Sequence, residues 1–103
     1  MIIYNVTIKA MHEIADEWLQ WMENDHIPDV MATGQFEGYK LCRLLDHDDE
    51  EGITYTAQYF CKGMDEYDTY IEQYAPDMRQ RGFDRFGNKF IAFRTLMQVE
   101  HEG

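Results

Sequence analysis

His26 carries the most chemical potential in the sequence, in the run Asp25-His26-Ile27-Pro28. An imidazole titrates near neutral pH and can take up or release a proton there. Pro28 restricts the residue before it and cannot donate a helical hydrogen bond, so His26 falls where a helix is expected to break. Two readings compete. In one, His26 faces a pocket as a general base; in the other, it caps the broken helix by bonding a free carbonyl.

Arg43 and Arg94 come next. Each lies inside a run of apolar residues, Leu41-Cys42-Arg43-Leu44 and Phe93-Arg94-Thr95-Leu96. Arginine seldom points into a core unless it is paired or holds an anion, so either could bind a carboxylate or an enolate. Asn5, Thr7, Thr56 and Gln58 could add polar lining, and Trp18 an aromatic wall. The competing readings are interface salt bridges for the arginines and plain core for Trp18, Trp21 and the tyrosines.

Metal and cofactor chemistry finds no pattern. His12, His26, His47 and His101 are dispersed, without ligand spacing. The acidic run Asp46 to Gly52 fails as a calcium loop: counted from Asp46, the sixth position is Glu51 where glycine is needed, and the twelfth is Ala57 where glutamate is needed. It reads as a solvated turn. Cys42 and Cys61 have no CxxC spacing and read as small buried hydrophobes. No phosphate-binding glycine loop, nucleophile elbow or triad motif is present, and the expected cofactor is none.

These residues must be positioned by a short chain. Its 103 residues fit one domain, 1–103, with 45% hydrophobic and 15% aromatic content. Nine basic residues against twenty acidic ones give a net charge of −11, which argues against nucleic acid and anionic membrane partners. The N-terminal run alternates like a strand, unlike a signal peptide, and no apolar run approaches the ~20 residues needed to cross a bilayer. A cytoplasmic location is expected.

Residues 2–9 alternate as a first strand. Met11, Ile14, Ala15, Trp18 and Met22 recur at helical spacing, with a break near Asn24–His26, a second turn from Pro28 to Thr33, and Gly34 as its cap. Residues 36–45 and 53–61 read as strands of a hairpin around the acidic turn. A second helix starts near Asp65 as N-cap, is interrupted at Pro76 and closes at Gly87. Residues 89–99 form the last strand, before a polar tail. On a hairpin centred near Asp49, Cys42 faces residues near Ala57, too far from Cys61 for a disulfide.

The order is βαββαβ, an α+β ferredoxin-like arrangement: a four-stranded antiparallel sheet with both helices on one face. Ile3, Phe60, Ile91, Phe93 and Met97 fall on the face that no helix covers. Such a face marks an interaction surface, and a two-fold homodimer closing a dimeric α+β barrel is the commonest cover.

Nearly the whole chain carries a resemblance. It runs through Ile3-Tyr4-Asn5-Val6-Thr7, Trp18-Leu19-Gln20-Trp21-Met22, His26-Ile27-Pro28-Asp29-Val30, Leu41-Cys42-Arg43-Leu44, Tyr59-Phe60, Tyr70-Ile71, Ala75-Pro76, Arg85-Phe86-Gly87 and Phe93-Arg94-Thr95-Leu96. On these stretches the chain resembles the dimeric α/β-barrel superfamily and, more closely, a small bacterial family of unknown function. The resemblance implies the fold and self-association. The wider superfamily spans cofactor-free monooxygenases, cyclases, isomerases, haem enzymes and sensors, and fold alone does not choose among them. The reading with the fewest requirements is a dimer that binds a small molecule between helices and sheet. The alternatives are a cofactor-free enzyme, with His26 as base and an arginine steadying an oxyanion, and a structural or protein-interaction module without a pocket.

Overall fold

The computed structural model describes residues 1–103. Strand β1 (Ile2–Met11) leads into α1 (His12–Trp21), a π-helical turn (Met22–His26) and α2 (Ile27–Ala32). The hairpin of β2 (Gly38–Arg43) and β3 (Gly52–Cys61) follows, then α3 (Met64–Gln73), α4 (Ala75–Phe86) and β4 (Phe90–Gln98). The sheet is antiparallel throughout, in the order β2-β3-β1-β4. This is the expected α+β arrangement.

Side-chain parity divides the sheet into two faces. Tyr4, Ile8, Tyr55, Ala57, Tyr59 and Cys61 point toward the helices and are buried. The register pairs Tyr4 with Tyr59 and Leu96, and Val6 with Ala57 and Arg94. Trp18 of α1 is 2% exposed and stacks on Tyr55 with ring centroids 5.1 Å apart. Phe36 packs at 5.2 Å from Tyr59 and 4.9 Å from Tyr70. The opposite face carries Ile3, Phe60, Ile91, Phe93 and Met97 and has no helix over it.

The chain departs from its sequence pattern at informative places. The first helix does not break before Pro28. It widens into a π-turn, in which Ile27 N–H bonds to the carbonyl of Met22, and then continues as α2. A proline ring clashes with the carbonyl four residues back in a regular helix, and the wider turn removes that clash. Strand β2 is shorter than residues 36–45, because Phe36 turns inward to fill the core. The cap of α3 is Gly63, with Asp65 in the first turn. Cys42 is exposed, not buried, because it lies on the outward face of the edge strand β2; Cys61 is buried, and both are free thiols. Cys42 pairs with Thr56, in keeping with the hairpin register that rules out a bridge.

Other turns follow the sequence. The helix restarts at Ala75 with Pro76 in its first turn, and Gly87 ends α4 with a φ of +60°. Exposed ion pairs tie α4 and its exit to the first helical segment: Lys89 to Glu13 at 2.7 Å, Arg85 to Glu17 at 3.5 Å and Arg81 to Asp29 at 2.9 Å. Exposed pairs each contribute under ~1 kcal/mol, so apolar packing such as Trp21 against Phe86 (5.4 Å) does more to hold α4 in place.

Gly52 opposes Met11 in the ladder, and a Cβ there would overlap the backbone carbonyl of Ala10. Backbone cannot yield as a side-chain tip can. Gly52→Ala is therefore expected to lower stability by about 2 kcal/mol or more in urea unfolding. An unchanged midpoint would contradict this register of β1 on β3.

Candidate functional site

A cavity of about 70 Å³ lies between the helices and the sheet. Its floor is the central strands, through Tyr4, Val6, Ile8, Ala57 and Tyr59. One wall is the end of α1 and the π-turn, through Trp18, Trp21, Met22 and His26. The other is α4, through Met78, Arg79 and Gly82, with Tyr70 of α3 above. Phe90, Ala92 and Arg94 of β4 close the side nearest the sheet edge.

The π-turn places His26 in this wall. The imidazole stacks on Trp21, with centroids 4.6 Å apart and planes inclined by 22°. Its Nδ1 is shielded from solvent and has no hydrogen-bond partner. Burial lowers its pKa from 6.5 to about 4; Asp29 opposes the shift, while Arg81 and Arg94 add to it. His26 is thus neutral at physiological pH. It is not a helix cap, since the helix runs on through it.

The mouth is built around one hydroxyl. Arg94 Nε donates to Tyr4 Oη at 3.1 Å, and Arg79 Nη2 donates to the same oxygen at 3.3 Å. Deeper in, Tyr59 Oη is buried without a partner, and burial pushes the Tyr59 and Tyr70 hydroxyls well above the usual phenol range. Both stay protonated and can offer a hydrogen. The cavity is therefore mostly apolar, with a neutral imidazole and phenol inside and two cations at its rim.

Three of the residues singled out by sequence converge here: His26, Arg94 and Trp18. Trp18 is too deeply packed to offer more than an edge. Arg43, Asn5, Gln58, Thr7 and Thr56 do not join them. Arg43 points to the helix side, but from the edge strand β2, and pairs with Asp49 of its own hairpin at 3.1 Å. That pairing also shows the acidic turn to be anchored rather than freely solvated: His12 Nε2 lies 2.6 Å from the Asp49 carbonyl oxygen. Asn5 and Gln58 face each other on the uncovered side of the sheet, one residue out of phase with Tyr4 and Tyr59, so they cannot line this cavity. Asn5 instead donates to Thr7 Oγ1 at 3.2 Å.

Arg79 and Gly82 are the residues that sequence reasoning passed over. A usable signal was present. Ala75, Met78, Gly82 and Phe86 form the buried stripe of α4 at helical spacing, with a glycine in its middle, and the exposed Arg79 stands at its border beside Met78.

The depressed His26 pKa makes stability depend on pH. Protonation is favoured in the unfolded chain, so this contribution is present above pH 6.5 and is lost as pH falls toward 4. Between about pH 7 and about pH 5 it amounts to a loss of about 2 kcal/mol. Urea unfolding of His26→Gln should show that increment missing relative to the parent. Equal pH dependence in both proteins would mean that His26 is not shielded.

Comparison with known proteins places this geometry on a known scaffold. A dimeric ferredoxin-like protein from an uncultured marine organism superposes with a TM-score of 0.76 at 11% identity, over 99% of this chain and 97% of that one. SnoaB, a cofactor-independent oxygenase from Streptomyces nogalater, gives 0.72 at 14% identity, over 98% and 95%. MhuD, with two manganese protoporphyrin IX bound per active site, gives 0.66 at 12% identity, over 98% and 97%. At such identities the likeness establishes the fold alone. No curated protein matches the sequence. The model of the family described as a domain of unknown function (DUF4286) matches residues 1–100, and the chain belongs to that family.

Proposed function

We propose that this protein binds a small molecule in the cavity between α1, α4 and the sheet, and does so as a homodimer joined through the uncovered sheet face. The observation that carries the binding reading is the convergence of a neutral, unpartnered His26 and a rim arginine on one apolar space. A buried polar atom without a partner costs about 1–3 kcal/mol, and a ligand that supplies the partner recovers it. On the same fold SnoaB is a cofactor-independent oxygenase and MhuD holds manganese protoporphyrin IX in its active site, which supports a pocket reading for this scaffold.

An enzymatic reading draws on the same convergence, with His26 as general base. Its weakness is the pKa of about 4, which makes the imidazole a poor base at neutral pH. An anion bound beside it would raise that value, so binding must come first in either case.

Gly82 offers a direct test. A Cβ there would sit 3.4 Å from Trp21 and 3.6 Å from Phe90, inside the cavity wall. Glycine in a helix interior costs ~1 kcal/mol relative to alanine. Gly82→Ala should therefore unfold at a temperature equal to or above that of the parent, while Gly82→Leu fills the space. Compounds that raise the melting temperature of the parent in a thermal-shift screen should lose their effect with Gly82→Leu. A screen that cannot tell the two proteins apart would end the binding reading.

The dimer rests on the sheet face. Ile91 is 68% exposed and Phe93 64%, side by side in parity with Ile3, Phe60 and Met97. A patch of this kind is unusual on a monomer. Sedimentation should show the parent as a dimer and Phe93→Glu as a monomer; a parent that stays monomeric at high concentration would refute the interface.

A further inference from the structure

Seven ion pairs decorate the surface, and they account for Lys9, Arg43, Lys62, Arg81, Arg85 and Lys89. The basic side chains left without a carboxylate are Lys40, Arg79 and Arg94. In a chain with twenty acidic residues, an unpaired arginine is easily avoided. Two of the three nevertheless meet at one neutral oxygen, the Tyr4 hydroxyl, at 3.3 and 3.1 Å. Like charges gathered at a neutral acceptor repel each other, and a negative group placed between them relieves that repulsion.

Their position gives the site its shape. The inner cavity of about 70 Å³ is smaller than the ~300–1,000 Å³ of ordinary ligand pockets. A separate groove of about 530 Å³ lies beside it between α4 and β4. Arg79, Phe90, Ala92 and Arg94 line both spaces and so stand at the junction. The outer groove adds Pro76 and Phe83, the latter 59% exposed. An occupant therefore meets flat apolar walls on either side of a dicationic waist.

We propose that Arg79 and Arg94, joined through the Tyr4 hydroxyl, form the carboxylate-binding element of this site, and that its ligand is a compact planar organic anion of the aromatic carboxylate class. The anionic group sits at the waist, where guanidinium forks match carboxylate geometry. The apolar body lies along Phe90 and Trp21. This inference rests on the reading that the cavity binds a small molecule, and it adds the charge and class of that molecule.

The experiment is a calorimetric and NMR titration with benzoate and its neutral isostere benzamide. The proteins are the parent, Arg79→Gln, Arg94→Gln and, as a charge control away from the cavity, Lys40→Gln. The parent should bind benzoate at least about tenfold more tightly than benzamide, and either arginine variant should lose most of that preference. Lys40→Gln should keep it. The Arg94 Nε–H resonance should move with benzoate and stay in place with benzamide. Equal binding of both compounds would overturn the anion site and leave the pocket reading intact. Inorganic phosphate binding as tightly as benzoate would also overturn it, since the apolar walls would then contribute nothing. Binding of neither compound, in a protein whose thermal-shift screen also fails to respond to Gly82→Leu, would overturn both.

Discussion

Tyr4 is the residue on which both the core and the site depend. Its ring lies among Phe36, Tyr59, Tyr67 and Tyr70, with centroid separations between 5.6 and 6.3 Å. Aromatic pairs at such distances add to the energy of area burial and fix ring planes against one another. The ring is therefore locked from several sides, and its hydroxyl comes out at one place. That place is the cavity mouth, where two arginines donate to it. A phenol solves a problem that phenylalanine or serine could not, because it packs as a hydrophobe and ends as an acceptor. Strand β1 holds it in the interior of the sheet, flanked by β3 and β4, so the oxygen to which the rim is attached is carried by the best-supported strand.

The π-turn plays the matching role on the opposite wall. One extra residue in the turn changes the angular phase of all that follows. It keeps the helix continuous, makes room for Pro28, and leaves Ile27 and Val30 of α2 buried while His26 faces Trp21. Insertions of this kind cost hydrogen-bond geometry and recur at functional sites. Here the gain is positional: His26 stands in the cavity wall without a loop to hold it, and its neutrality follows from that burial.

Much of this was legible in the chain itself. Alternation in β1, β3 and β4 gives the two faces of the sheet, and the same parity that sends Tyr4 inward sends Asn5 outward. Arg94 shares its parity with Phe90, Ala92 and Leu96, so its direction followed once β4 was placed. Asn5 and Gln58 share its polar character, but parity sends them to the other face of the sheet. Other features lay beyond pattern reading. A π-turn and a broken helix carry the same sequence signature at a proline, and only the hydrogen bond from Ile27 to Met22 distinguishes them. Phe36 fits a strand as well as a core plug, and tertiary packing decided for the plug. Arg43 met Asp49 because the hairpin turn folds back on its own strand, a contact that depends on the turn's conformation, including a positive φ at Asp46.

The elements of the site differ in how firmly they are held, and that difference bears on how it could work. Tyr4, Tyr59 and Ala57 belong to the two inner strands. Arg94 sits on β4, which pairs with β1 on one side and has a free edge on the other. Arg79 sits on α4, which joins β4 through Gly87, Asn88 and Lys89 and is steadied by exposed ion pairs that salt screens. The floor thus lies on the two inner strands, and the mouth is drawn from the margin of the fold. Local opening concentrates where backbone edges are unpaired and packing is one-sided. A cavity with a fixed floor and a yielding rim can admit a ligand larger than its resting volume while keeping its hydrogen-bonding groups in place. On this scaffold, widening the mouth would move Arg79 and Arg94 relative to the Tyr4 oxygen, so the proposed ligand's entry and the recognition of its charge would fall to the same two side chains.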